Sequence, residues 1–297
     1  MTPSCNRRDF ITSTGAMLAA GALALHAGPK RAEAGEMTGK LKKALNIGMI
    51  GEGATVLDKF KLAKELGFDG VELNSPGMSN RDEVKKALEA TGLGVSEIMD
   101  AVHWRDTLSH PDEAVRAKGV AGLKTAITDA KFTGGGAVLL VPAVVNKDAT
   151  KEEAWKRSSE EIKKVVPFAE EQGVKIGIEN VWNNFLMDPQ DMAKYIDEIG
   201  SPWVGSFFDI GNHVKFAKPE DWIRTLGKRI LRLHVKEFSK AKGFNVKLGE
   251  GDIVWPEVVK ALGEVGYTGW ATAEVNGGKK DALKDIAERM DKILSLA

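Results

Sequence analysis

From Lys43 onward, short apolar runs alternate with longer segments in which apolar residues return every third or fourth position. The runs cover residues 45–50, 70–73, 95–99, 137–141, 174–179, 204–209, 230–235 and 270–275. Most are continuous rather than alternating, as expected of strands buried on both faces of a parallel sheet. Between them, Val56, Phe60, Ala63 and Leu66 share one helical face, and Ile286, Met290, Ile293 and Ala297 share another. Gly67, Gly173 and Gly266 stand where such helices would stop, and Ser79 and Ser109 where two would start. Eight β-α units with no break in composition predict a single-domain (β/α)8 TIM barrel over residues 43–297. An open doubly wound sheet fits less well, because no G-x-G-x-x-G follows the first strand. Gly134-Gly135-Gly136 precedes a strand and reads as a helix-to-strand turn.

Composition narrows the function. The 297 residues are 43% hydrophobic and carry 42 basic and 42 acidic side chains, so no basic excess points to nucleic acid. The one cysteine, Cys5, lies in the leader described next, which leaves no disulfide or thiol chemistry for the rest of the chain.

Residues 1–34 read as an export signal. Asn6-Arg7-Arg8-Asp9-Phe10-Ile11 resembles the twin-arginine motif of Tat substrates. A small-residue apolar stretch follows to Ala27, too short for an ordinary membrane span. Ala22-Leu23-Ala24 and Ala32-Glu33-Ala34 both offer cleavage signals, and an uncleaved N-terminal anchor is the competing reading. The expectation is a periplasmic protein with no stable membrane association, residues 35–42 serving as a linker and the Tat machinery as a partner.

Four ionisable residues end four successive runs: Glu179, Asp209, His234 and Glu274. Strand ends at one mouth of a barrel are where chemistry is placed. An isolated buried carboxylate is too costly, so these must be paired or bind metal. Three oxygen donors and one imidazole favour Mn²⁺ or Mg²⁺, with Co²⁺ or Zn²⁺ also compatible. All four histidines outside the leader, His103, His110, His213 and His234, fall on the same predicted face. Lys236 shares its side of the strand with His234 by the period of two. Trp104, Trp182 and Trp255 fall in predicted loops at that mouth, suited to stacking on a bound ring, to walling off water or to plain packing.

These motifs together resemble the xylose-isomerase-like TIM barrels, which include ketose 3-epimerases, hydroxypyruvate isomerases and inosose dehydratases. The resemblance rests on GVEL (70–73), GIEN (177–180), FDIGNH (208–213), LHVKEF (233–238), LGEGDIVW (248–255) and AEVNG (273–277). It implies a metal held by Glu179, Asp209, His234 and Glu274. It also implies proton abstraction beside a carbonyl, through a metal-stabilised enediolate, with Glu179 and Glu274 as the bases. Glu72, His103, His213, Lys236, Trp104 and Trp182 would then contact a sugar or keto-sugar substrate. Where some ketose 3-epimerases carry a further glutamate, a histidine and an arginine, this chain has Phe185, Asn212 and Lys240. The leading expectation is a sugar isomerase or epimerase. A lyase or dehydratase acting on a keto-sugar or 3-keto-glycoside shares the same first step. An apurinic-site endonuclease would need more histidines and a basic surface, and a non-enzymatic sugar binder would not need the buried carboxylates. Members of the family often pair, which leaves a homodimer open.

Overall fold

The computed structural model describes residues 37–296 apart from Ser79; the leader, its motif and its cleavage signals lie outside the described residues. The apolar runs form eight strands: β1 (Leu41–Asn46), β2 (Gly70–Ser75), β3 (Gly94–Asp100), β4 (Ala137–Leu140), β5 (Lys175–Glu179), β6 (Val204–Asp209), β7 (Ile230–Val235) and β8 (Gly269–Ala273). Each pairs in parallel with the next, and β8 pairs with β1, so the sheet closes into a TIM barrel. Eight helices lie outside it: α1 (Val56–Glu65), α2 (Arg81–Thr91), α3 (Glu113–Thr133), α4 (Lys151–Gln172), α5 (Pro189–Ile199), α6 (Pro219–Leu226), α7 (Trp255–Val265) and α8 (Lys280–Ile293). No helix among the described residues is long and apolar enough to cross a membrane.

Local chemistry explains most boundaries. Thr55 and Thr150 cap α1 and α4 through reciprocal hydrogen bonds with Asp58 and Glu153. Asn80 caps α2, and Asp112, not Ser109, caps α3. α4 and α7 end at Gly173 and Gly266 in left-handed conformation, where the sequence placed stops. The largest departure is β1, which starts at Leu41, inside the expected linker, and ends before Ile47. Lys42 and Lys43 disguise its apolar character. Lys43 is buried along its stem but its ammonium reaches Asp291 at 2.6 Å. Ile47–Met49 then form a 3₁₀ turn capped by the Asn46 side chain.

The main core lies between sheet and helices; there Trp222 of α6 stacks on Phe208 of β6 with ring centroids 5.9 Å apart. The barrel interior is different, because charged and polar side chains project into it. Along β7 and just past it, Arg232, His234 and Lys236 share the inward side at successive depths, as alternation requires. Arg232 lies deepest, donating to Ser96 O at 2.9 Å and facing Glu97 at 3.7 Å.

Candidate active site

The four strand-end residues meet at the C-terminal mouth of the barrel. Glu179 and Asp209 are the last residues of β5 and β6, His234 is next to last in β7, and Glu274 follows β8 directly. Asp209 and His234 are register partners, which sets their side chains next to each other. One donor atom from each of the four residues lies within 4.8 Å of the others. His234 Nδ1 stands 3.1 Å from Glu179, 3.9 Å from Asp209 and 3.5 Å from Glu274.

The backbone prepares Asp209 for its place. Gly211 N–H and Asn212 N–H both donate to Asp209 Oδ1, at 2.8 and 2.7 Å. Gly211 allows this turn because a Cβ there would meet the Lys236 carbonyl oxygen at 2.8 Å. Asn180 adds a clamp, donating to Asp209 O at 2.9 Å and accepting from its N–H at 2.8 Å. Asp209 Oδ2 is left buried with no hydrogen-bond partner. That orphaned oxygen, two further carboxylates and an imidazole nitrogen fit a divalent cation by donor chemistry.

The electrostatics agree. Burial lifts the Glu179 carboxyl to about 7 and that of Asp209 to about 6. Burial pushes Glu274 the same way, but the positive charge of His234 and Lys236 overrides it and holds that carboxyl near 2. Burial alone would lower the His234 pKa, yet Glu72 and Glu274 raise it well above its ordinary value. Crowding this much negative charge into a closed interior is costly unless positive charge sits within it.

The family profile described as xylose isomerase-like TIM barrel matches residues 60–295. The chain belongs to the xylose isomerase-like TIM barrel family. Among its relatives is the L-ribulose-5-phosphate 3-epimerase of Escherichia coli, 25% identical over 268 residues, covering 84% of this chain and 94% of the relative. Two solved structures share its fold. One is an L-ribulose 3-epimerase (TM-score 0.73, 21% identity, covering 86% of this chain and 94% of that one). The other is a 3-keto-D-glucoside 4-epimerase from E. coli (TM-score 0.72, 17% identity, covering 86% and 99%).

Beyond the four, this member of the xylose isomerase-like family brings some expected residues to the mouth and withdraws others. Lys236 reaches it, with its ammonium 2.5 Å from Glu274 and 3.4 Å from Asp209. Glu237 accepts from Gly249 N–H and Trp255 Nε1, both at 2.8 Å, pinning the loop after β7. Trp255 is buried at the start of α7. Trp182 is 44% exposed and packs against Phe216, Phe238 and Phe244 with centroids 5.1–5.8 Å away. Phe244 continues this aromatic wall to within 5.2 Å of the Lys236 ammonium. Trp104 is exposed and edge-on to His103. His103 accepts from Val141 N–H through Nδ1 at 3.2 Å, which leaves Nε2 as its N–H donor. Burial pushes its pKa down to about 4, so the ring is neutral.

Glu72 and His213 are both buried and held by neighbouring side chains. Glu72 is fully buried, and its two oxygens face Asn46 and His234, so neither is left for a sugar hydroxyl. His213 is buried behind Asp209, where its Nδ1 lies 3.0 Å from Asn180 Nδ2. Its role in this geometry is to hold the clamp. Glu97 escaped the sequence reading although it sits fully buried in β3. A charge inside a strand expected to be apolar on both faces was the signal for it. Asn180 and Asn212 were equally legible as amides directly after or near the metal-type carboxylates, and Asn212 Nδ2 donates to Asn180 O at 2.9 Å.

Proposed function

We propose that this chain is a divalent-metal-dependent sugar epimerase or isomerase that moves a proton on the carbon next to a carbonyl. The observation that carries the reading is the pair Glu179 and Glu274. They approach one imidazole from β5 and from the end of β8, in environments that drive their pKa values to about 7 and about 2. Two carboxylates that reach one imidazole from separate strand ends, at 3.1 and 3.5 Å, suit paired acid and base roles. Glu179, Asp209, His234 and Glu274 would hold the cation, and Mn²⁺ or Mg²⁺ fits the donor set best. When bound, it supplies positive charge beside the substrate carbonyl, making the adjacent C–H more acidic.

In this reading one glutamate accepts the proton from carbon and the other returns a proton, to the opposite face for epimerisation. Lys236 and the His103 Nε2–H orient substrate oxygens, while Trp182, Phe216 and Trp104 cover the sugar ring and keep water out. The relatives' names support a sugar substrate. Lys236 is committed to Glu274 and Asp209, which argues for an unphosphorylated sugar over a phosphorylated one. The twin-arginine leader supports the same choice, because an exported enzyme meets mainly unphosphorylated sugars; an N-terminus beginning after Ala24 or Ala34 in the periplasmic protein would test the leader.

The deciding experiment incubates Mn²⁺-loaded protein with a panel of ketoses and 3-keto-glycosides in deuterated water and weighs the products. Deuterium gained with the carbon skeleton intact is the expected result, abolished by EDTA. Loss of water or of the aglycone moves the protein to the lyases. No exchange with any substrate sinks the reading.

A further inference from the structure

Below the four-residue cluster runs a line of hydrogen bonds whose direction is set by a backbone amide. Asn46 Oδ1 accepts from Gly48 N–H at 2.7 Å. The amide's NH₂ end must therefore point the other way, and Asn46 Nδ2 donates to Glu72 Oε2 at 2.6 Å. Asn46 and Glu72 are register partners on β1 and β2, so their side chains share the inward face. Glu72 Oε1 then meets His234 Nε2 at 3.3 Å, and both side chains are fully buried. A carboxylate only accepts, so Nε2 carries a proton, and Nδ1 is the nitrogen whose proton a bound cation would displace. The other nitrogen, Nδ1, is the one surrounded by Glu179, Asp209 and Glu274.

We propose that Glu72 is a positioning residue that fixes the orientation and tautomer of His234 and presents the Nδ1 lone pair to a divalent cation. The assignment rests on the reading that the cluster above it binds such a cation. Outer carboxylates that hold a ligand histidine in this way also make the imidazole a stronger donor. Glu72 thus acts on the site without touching substrate, and Asn46 sets which of its oxygens is free to do so.

The test exploits the fixed polarity. Glu72→Gln preserves shape, but Asn46 Nδ2 recruits the new amide oxygen and turns the new NH₂ toward Nε2. Nε2 must then accept, and the proton moves to Nδ1, the ligand atom. Calorimetric titration of MnCl₂ into metal-stripped full-length protein is expected to show Glu72→Gln binding about 10–100-fold more weakly than wild type. Adding Asn46→Ala frees the new amide to turn back and recovers most of that loss, a recovery that simple damage to the fold would not allow. Nitrogen-15 spectra of labelled, Zn²⁺-loaded wild type should place the His234 proton on Nε2. Binding by Glu72→Gln within about threefold of wild type, below the loss expected for an outer-shell partner, overturns the proposal. So does an unrecovered loss in the double variant, or a wild-type proton on Nδ1. Should wild type itself fail to bind Mn²⁺, the reading of the cluster falls and takes this assignment with it.

Discussion

Asp209 commits one carboxylate oxygen to backbone N–H groups and leaves the other buried with no hydrogen bond, 3.4 Å from the Lys236 ammonium, and Glu179 and Glu274 complete the same pocket. The side chains that bind there also do the proposed chemistry. Glu179→Gln and Glu274→Gln should therefore each lower turnover by about 10²–10⁴-fold, as expected for loss of a general acid or base. The check is turnover measured alongside bound metal, and full activity in either variant with metal bound would refute the roles. Asp100 gives a separate test, of stability. Burial lifts its carboxyl from 3.8 to about 7, so between those values the native state holds a proton that the unfolded chain has released. Stability contributed by this group is thus lost as pH rises across that window. Asp100→Asn does not titrate and should gain on wild type from about pH 4 to about pH 7, then level off, in denaturant unfolding at several pH values. An unchanged difference across that range would contradict it. The residues that the sequence revealed were those at strand ends. Glu97 and Asn180 were passed over because their importance comes from neighbours on other strands, Arg232 for one and Asp209 for the other.

At the level of elements, the turn after β6 carries much of the site's geometry. A methyl group at Gly211 would press on the Lys236 carbonyl oxygen at 2.8 Å, and both segments bear site residues. Gly211→Ala should cost about 1–3 kcal/mol, the usual penalty of overpacking. It should also weaken metal binding, read by thermal unfolding and by titration. A neutral effect on both would show that the turn is free to yield. Seven of the eight strands begin and end within about two residues of their sequence-based bounds, the usual uncertainty of an element end. β1 moved further, because a buried lysine whose ammonium reaches Asp291 reads as solvent-facing until its partner on α8 is known. The third helix likewise began later than expected, since Asp112 and Ser109 are both good caps and only the packed chain chooses between them.

On the scale of the whole molecule, closure between β1 and β8 draws carboxylates from distant stretches of sequence into one interior. A cation that neutralises them should hold the barrel together. At a hundred times its dissociation constant a ligand adds about 2.7 kcal/mol, and a chain of this size shifts by about 2–4 °C per kcal/mol. Mn²⁺ is thus expected to raise the melting temperature by about 5–10 °C over an EDTA-treated sample, as those two figures imply; no shift would mean that the cluster is satisfied without metal. The fold class, the mouth and the four donors were legible because the β-α rhythm repeats along the entire chain. The aromatic wall was only partly so, since Phe216 and Phe244 come from loops whose course no periodicity predicts. That wall has an optical consequence. Trp182 lies half open to water beside the Lys215 ammonium, 5.2 Å from its ring, while Trp222 and Trp255 are sealed in the core. A molecule settling at the mouth should dry this indole and move its emission to shorter wavelength, most clearly once Trp104→Phe has silenced the other exposed indole. The protein would then report its own occupancy without a label, and loss of the shift in Trp182→Phe would identify the indole that reports it.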